Sequence, residues 1–240
     1  IAVPSPQAAV DLLSLMGERS GNRVVAFELM PRIAMDFTVK HMGIANPLKD
    51  YSPWYVLCEL ADPVEGCSAQ ALETAMERGL VSDATLAQSE AQRQALWVIR
   101  ELLPESQKFE GGSIKHDISV PVSKVPQFIS EATRAVNGFM PDARVVPFGH
   151  LGDGNLHFNV SQPVGMEKRK FLDAWNDMNA VVFEVVAKHA GSISAEHGIG
   201  RLKRQHMASI KSPVELLMMR DLKQLFDPRN IMNPGKVLPP

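Results

Sequence analysis

Only two cysteines, Cys58 and Cys67, occur in the 240 residues. That is too few for a disulfide framework, and a reducing compartment suits them. No apolar run approaches the about 18 residues of a membrane span. Charge of one sign is not in excess: the formal net charge is −2, which offers no basic field to nucleic acid or anionic lipid. No Gly-x-Gly-x-x-Gly follows a strand-like run and no Gly-x-x-x-x-Gly-Lys-Ser/Thr occurs, so a nucleotide-phosphate cradle is not expected. Gly-x-Ser-x-Gly is missing, which argues against an α/β-hydrolase nucleophile. Repeats and low-complexity segments are absent. Neither a Met nor a charged leader precedes Ile1-Ala2-Val3-Pro4, so a fragment or a processed product is expected, with any targeting segment out of view. What is there, 45% hydrophobic and 22% charged residues, is the composition of an ordinary globular protein.

Hydrophobic periodicity and turn residues predict a helix opening at Ser5-Pro6 and ending near Gly17, then a strand over 23–29. A short helix follows Pro31, 41–53 is a loop, and 55–60 is a strand. Helices are expected over 68–79 and 86–103, the latter interrupted at Pro104. Gly111-Gly112 leads into a strand, 113–121, in which Lys115, Asp117 and Ser119 share one face. A helix over 124–139, one long helix over 166–189 and a last helix from Ser212-Pro213 to before Asp227-Pro228 complete the chain. Strands joined by hairpins rather than glycine-rich crossovers favour an α+β fold, an antiparallel sheet covered by helices on one face.

The chemistry concentrates in 147–160. Two strand-like runs, 144–149 and 155–160, flank Asp153-Gly154, a strong signal for a two-residue hairpin turn. A turn centred there pairs Gly152 with Asn155, Leu151 with Leu156 and His150 with His157. Directly opposed residues share a face with Cβ atoms about 4.5–5.5 Å apart, and Asn159 falls on that face too. The second segment, 191–201, sets Glu196 and His197 among glycines, which lets a backbone approach a ligand closely. Taken singly, each segment reads as an ordinary turn or a structural histidine. Together, His150, His157 and Glu196 form a two-His, one-carboxylate set that leaves coordination positions open. Zinc is preferred, and ferrous iron or manganese suits the same ligands. His41, His116, His189 and His206 have no ligand-type partner at useful spacing and read as structural.

Three stretches, 147–160, 192–201 and 225–236, resemble the C-terminal half of flavin-dependent D-2-hydroxy-acid dehydrogenases of the vanillyl-alcohol-oxidase type, the D-lactate, glycolate and D-2-hydroxyglutarate group. The resemblance covers nearly the whole chain, and the family's N-terminal FAD-binding domain lies outside it. It implies a substrate and metal cap domain over 1–205. The C-terminal helix and tail, 206–240, would return to the FAD domain and meet the flavin through Asn233 and Lys236, and in this chain the tail is expected to hang free. It further implies that His150, His157 and Glu196 hold a divalent metal and that His197 is the general base. Arg100, Lys115 and Asn159 would bind the acid, and a hydride would pass from substrate to FAD. One departure concerns specificity: where diacid members often carry a hydroxyl residue one helical turn after the arginine, this chain has Pro104. The expected partners are a small 2-hydroxy acid, an FAD-binding domain and an unidentified electron acceptor, with a homodimer allowed and no nucleic acid. The expected location is the cytoplasm, or the mitochondrial matrix in a eukaryote. The alternatives are a non-catalytic metal and hydroxy-acid binding module, and metal-dependent hydrolysis at the same open site.

Overall fold

Serine and proline set where the first helix begins. The Ser5 side chain accepts the Ala8 amide at 3.1 Å, and Pro6 stands where no amide is needed. The computed structural model describes residues 1–49, 51–61 and 66–239; Asp50 of the expected loop and Pro240 of the tail lie outside them. In chain order the elements are β1 (Ala2–Val3), α1 (Pro6–Ser20), β2 (Val24–Pro31), α2 (Arg32–Met42), β3 (Trp54–Leu60), α3 (Cys67–Glu77), α4 (Glu90–Glu101) and α5 (Leu103–Ser106). They continue with β4 (Ser113–Ser119), α6 (Val125–Phe139), β5 (Arg144–His150), β6 (Asn155–Ser161), α7 (Lys168–Asp173), α8 (Trp175–Lys188), α9 (Arg204–Ile210) and α10 (Pro213–Phe226).

The strands form one six-stranded sheet in the order β1-β3-β2-β5-β6-β4, antiparallel throughout. The expected α+β class holds. Helices lie on both faces rather than one, and side-chain alternation explains why. Phe27, Leu29, Val56, Leu156, Phe158 and Val160 enter a core with residues of α1, α3, α6 and α8. Their alternates Met30, Tyr55, Val146 and Phe148 enter a second core with α2, α4 and α5. The second core stops short of the β4–β6 edge, and the face left uncovered there carries the site.

Several local expectations change. Helix α1 runs through Gly17 and stops at Gly21, which takes φ 65°. Asn22 donates to the Gly17 carbonyl at 2.8 Å, closing the end with a left-handed glycine cap. The predicted 166–189 helix divides into α7 and α8 at Ala174, where the amide turns to the Phe171 carbonyl at 3.2 Å. The tail does not hang free: Val237 donates to the Gly200 carbonyl at 2.8 Å and Arg204 to that of Gly235 at 3.2 Å. The position between 205 and 206 falls inside α9, whose Met207 is buried.

The hairpin register also differs. His157 faces Phe148, and Leu151–Asp153 forms a single 3-10 turn, with Gly154 at φ 75°. Contacts from outside the hairpin override the local turn preference. Glu28 of β2 pairs with His150, and Val120 donates to the Gly154 carbonyl at 3.1 Å. A side chain at Gly149 would meet the Asn155 carbonyl oxygen at 2.5 Å, so only glycine permits this bend. The slip is two residues, one full side-chain period, so His150 and His157 keep a common face.

Away from the site, Glu110 joins α2 to the sheet. It accepts from Lys40 at 2.7 Å, meets His41 at 2.5 Å and pairs with Arg144. Burial raises its carboxyl, but these three partners outweigh burial and hold the pKa at about 2. The native state therefore binds the proton less readily than the unfolded chain. This stability is present above the ordinary carboxylate value and lost as pH falls toward 2. Glu110→Gln is expected to cost about 2 kcal/mol at pH 7, the scale of a hydrogen bond to a charged group, with the difference from wild type shrinking on acidification. Urea melts of both proteins at pH 7 and pH 3 check it, and an equal gap at both would refute the assignment.

Candidate active site

Strand β6 carries the site. It pairs with β4 through Lys115↔Asn159 and Asp117↔His157, and with β5 through Val146↔Asn159 and Phe148↔His157. Glu196 and His197 arrive on segment 191–203. That segment is fixed to the end of β4 by reciprocal bonds between Ser119 and Ser192, 3.0 and 2.8 Å. Gly191 makes the approach feasible, since a Cβ there would stand 2.4 Å from the Ser119 carbonyl oxygen.

One ligand atom each of His150, His157 and Glu196 lies within 4.8 Å of the others, and His150 Nε2 stands 3.3 Å from Glu196 Oε1. The His157 pKa is lowered, by burial first and then by the Arg100 charge, which favours the neutral, ligating imidazole. Buried Asn155 donates to Glu196 and leaves its own Oδ1 buried without a partner. A cation or its bound water would satisfy that oxygen. The donor set therefore fits a divalent ion with open positions.

Asp117, His157 and His197 form a second group within 4.8 Å. Asp117 is otherwise engaged. Its carboxylate accepts the amides of Glu196 at 3.2 Å and His197 at 2.9 Å and the Ser194 hydroxyl at 3.4 Å. Lys203 Nζ lies 3.8 Å away. Burial raises the Asp117 carboxyl, but the His197 and Glu196 amides, with the His197 and Lys203 charges, hold it below the usual range. Burial lowers the Lys203 pKa despite the attraction of Asp117, and its ammonium also donates to the Ile193 carbonyl at 2.7 Å. Asp117 is thus a clamp on segment 191–203, with its Oδ2 3.7 Å from His197 Nδ1.

A cleft of ≈ 560 Å³ opens over these groups, walled by Lys115, His157, Asn159, Glu196 and His197. An apolar cavity of ≈ 210 Å³ beside β3 holds none of them. Arg100 stands behind the wall. Its Nε donates to Glu28 at 2.7 Å, and its guanidinium lies 4.9 Å over the Phe148 ring. Glu28, 2% exposed, meets His150 Nδ1 at 2.5 Å with its other oxygen. Asn233 and Lys236 lie apart, exposed on a separate cleft with Arg204 and Arg220. Sequence reasoning missed Glu28, Asp117, Asn155 and Lys203 as site residues. Glu28 did carry a signal, being the one charge in the run Val-Val-Ala-Phe-Glu-Leu-Met-Pro, and Asp117 shares its strand face with Lys115.

Residues 1–237 match the family described as FAD linked oxidases, C-terminal domain. The chain belongs to that family. D-2-hydroxyglutarate dehydrogenase of Stutzerimonas stutzeri is 41% identical over 217 residues, 89% of this chain and 47% of the relative. The mitochondrial D-2-hydroxyglutarate dehydrogenase of Arabidopsis thaliana is 36% identical over 225 residues, 91% of this chain and 39% of the relative. The FAD linked oxidase domain described here thus spans half or less of the length of these relatives. Among solved structures, alkyldihydroxyacetonephosphate synthase superposes with a TM-score of 0.57 at 13% identity, over 97% of this chain and 43% of that one. That likeness shows the shared fold. Among the described residues no helix is long and apolar enough to cross a membrane.

Asp117→Asn replaces one accepting oxygen with a donor that faces backbone N–H groups. A loss of about 2 kcal/mol is expected, with faster amide exchange at Glu196 and His197 than elsewhere. Denaturant melts and residue-resolved hydrogen exchange measure both. Unchanged exchange at those two amides would remove the clamp.

Proposed function

We propose that the chain is the substrate- and metal-binding portion of an FAD-dependent dehydrogenase that oxidises a D-2-hydroxy acid, of the D-2-hydroxyglutarate or D-lactate kind, to the 2-oxo acid. The observation that carries this is the convergence of His150, His157 and Glu196 donor atoms within 4.8 Å, with His157 and Glu196 at the wall of an open cleft. The names of the relatives support the substrate class. FAD would be held mostly by an FAD-binding half, in the rest of a longer protein or on a partner. Asn233 and Lys236 are exposed, which fits one edge of a large cofactor enclosed from the other side. The apolar side chains left exposed on α10, among them Leu217, Leu225 and Phe226, support assigning 206–240 to that side and 1–205 to the cap. Compartment follows the relatives: mitochondrial in a eukaryote, as the Arabidopsis protein is, and cytoplasmic otherwise.

When bound, a divalent ion, zinc by preference, would supply Lewis acidity at the substrate's α-hydroxyl, and FAD would supply the acceptor for the C2 hydride. Lys115 is exposed at the cleft and offers a point charge to a substrate carboxylate. Asn159, held by a 3.0 Å bond to Gln107, orients the acid beside it. Arg100 lends its charge to the acid from behind the wall, its Nε committed to Glu28. His197 has Asp117 beside its Nδ1 and takes the hydroxyl proton at Nε2.

Two measurements test this. Elemental analysis after gentle purification should find close to one zinc-like ion per chain, lost in His150→Ala and in Glu196→Ala; full occupancy in either variant removes the ligand assignment. With the flavin-binding half present, Lys115→Met should lower kcat/KM for D-2-hydroxyglutarate about 10–100-fold, the scale of one charge-assisted hydrogen bond. D-lactate should suffer equally if Lys115 holds the C1 carboxylate and little if it holds the distal one. Wild-type kinetics on both acids would make Lys115 a surface charge.

A further inference from the structure

We infer that Glu28 is a positioning residue for the metal site, fixing the proton of His150 on Nδ1 so that Nε2 is free to ligate; this rests on the metal reading above. Glu28 comes from β2, far from the hairpin in sequence, and the sheet register sets it directly opposite His150. It is a carboxylate buried to 2% in an otherwise apolar strand. Its two oxygens have two partners, Arg100 Nε at 2.7 Å and His150 Nδ1 at 2.5 Å. Arginine can only donate, and an ionised carboxylate can only accept. The contact with His150 therefore requires a proton on Nδ1. In the neutral ring, the form that can ligate a metal, Nε2 then turns a lone pair toward Glu196 Oε1 at 3.3 Å. Two acceptors so close without a proton between them repel, and a shared cation resolves the conflict. Buried carboxylates behind ligating imidazoles work in this way elsewhere, setting tautomer and basicity.

Glu28→Gln is nearly isosteric and has a specific consequence. Arg100 must take the amide oxygen, since it has nothing but donors to offer. The amide nitrogen is left facing His150 Nδ1, which becomes the acceptor, and the imidazole proton moves to Nε2, where it blocks ligation. Removing Arg100 at the same time frees the amide to turn and present its oxygen to His150. A second substitution that deletes a buried cation should thus restore what the first one lost. A merely structural role for Glu28 predicts the opposite, with two defects in one core worse than one.

Zinc affinity of the chain, read by competition with a chromogenic chelator, decides between them, with circular dichroism and melting temperature recorded for every variant. Glu28→Gln should bind zinc about 10–100-fold more weakly than wild type. The double variant Glu28→Gln with Arg100→Met should recover most of that loss. Adding Glu28→Gln to His150→Ala should weaken binding no further. The inference is overturned if Glu28→Gln binds like wild type while His150→Ala does not, or if Glu28→Gln costs as much with His150 absent as with it present. Wild-type affinity in His150→Ala would instead sink the metal reading, and the role of Glu28 with it. Should Glu28→Gln fold poorly, the double variant decides alone, because it leaves no buried charge unpaired. Binding near wild type is then expected, and binding as weak as in His150→Ala overturns the inference.

Discussion

Strand β6 is hydrogen-bonded along both edges, to β4 on one side and β5 on the other, so its side chains have two directions only. Leu156, Phe158 and Val160 point into the core under α6 and α8, each fully buried. Asn155, His157 and Asn159 must then point the opposite way, where the second core has ended. The chemistry is displayed on the back of a packed hydrophobic strand. Burying three large apolar side chains, each worth about 1.5–3 kcal/mol, holds the intervening imidazole and amides more rigidly than a loop could.

Carboxylates shielded from solvent tie the rest of the fold together, and each has several partners. Glu28 ties β2 to His150 and Arg100, Asp117 ties β4 to segment 191–203, and Glu110 ties α2 to the sheet. Each joins segments distant in sequence. An isolated buried charge is strongly unfavourable, so such a residue persists only where the fold supplies the opposing donors, and it couples those donors to one another. The exposed pairs of the chain, such as Lys211 with Glu215, follow helix spacing and contribute little.

The candidate site is open to solvent on the side where the tail runs. The cleft is open, its rim groups are exposed, and α10 shows a run of apolar side chains to solvent. The tail returns to the cleft through the bond between Val237 and Gly200, so anything resting on the tail sits close to the segment that carries Glu196 and His197. This arrangement accords with a family defined by its partnership with a flavin.

Reading the chain alone was enough to find the α+β class, the histidine hairpin and the glycine-framed Glu196-His197 pair, because each is written in local residue patterns. Turn glycines, alternation and ligand-type side chains need no distant contact to be legible. The register was legible only to its parity: His150 and His157 do share a face, but Phe148 stands opposite His157, because β2 and Val120 hold the ends of the turn. Arg100 was legible as a cation, but its pairing with Glu28 across 72 residues was not. Glu28 and Asp117 gave no sign of their partners, Glu28 being 122 residues from His150 and Asp117 80 from His197. Local sequence determines which side chain can ligate, turn or cap. Which buried charge meets which donor depends on strands paired across the sheet, and only the folded chain decides it.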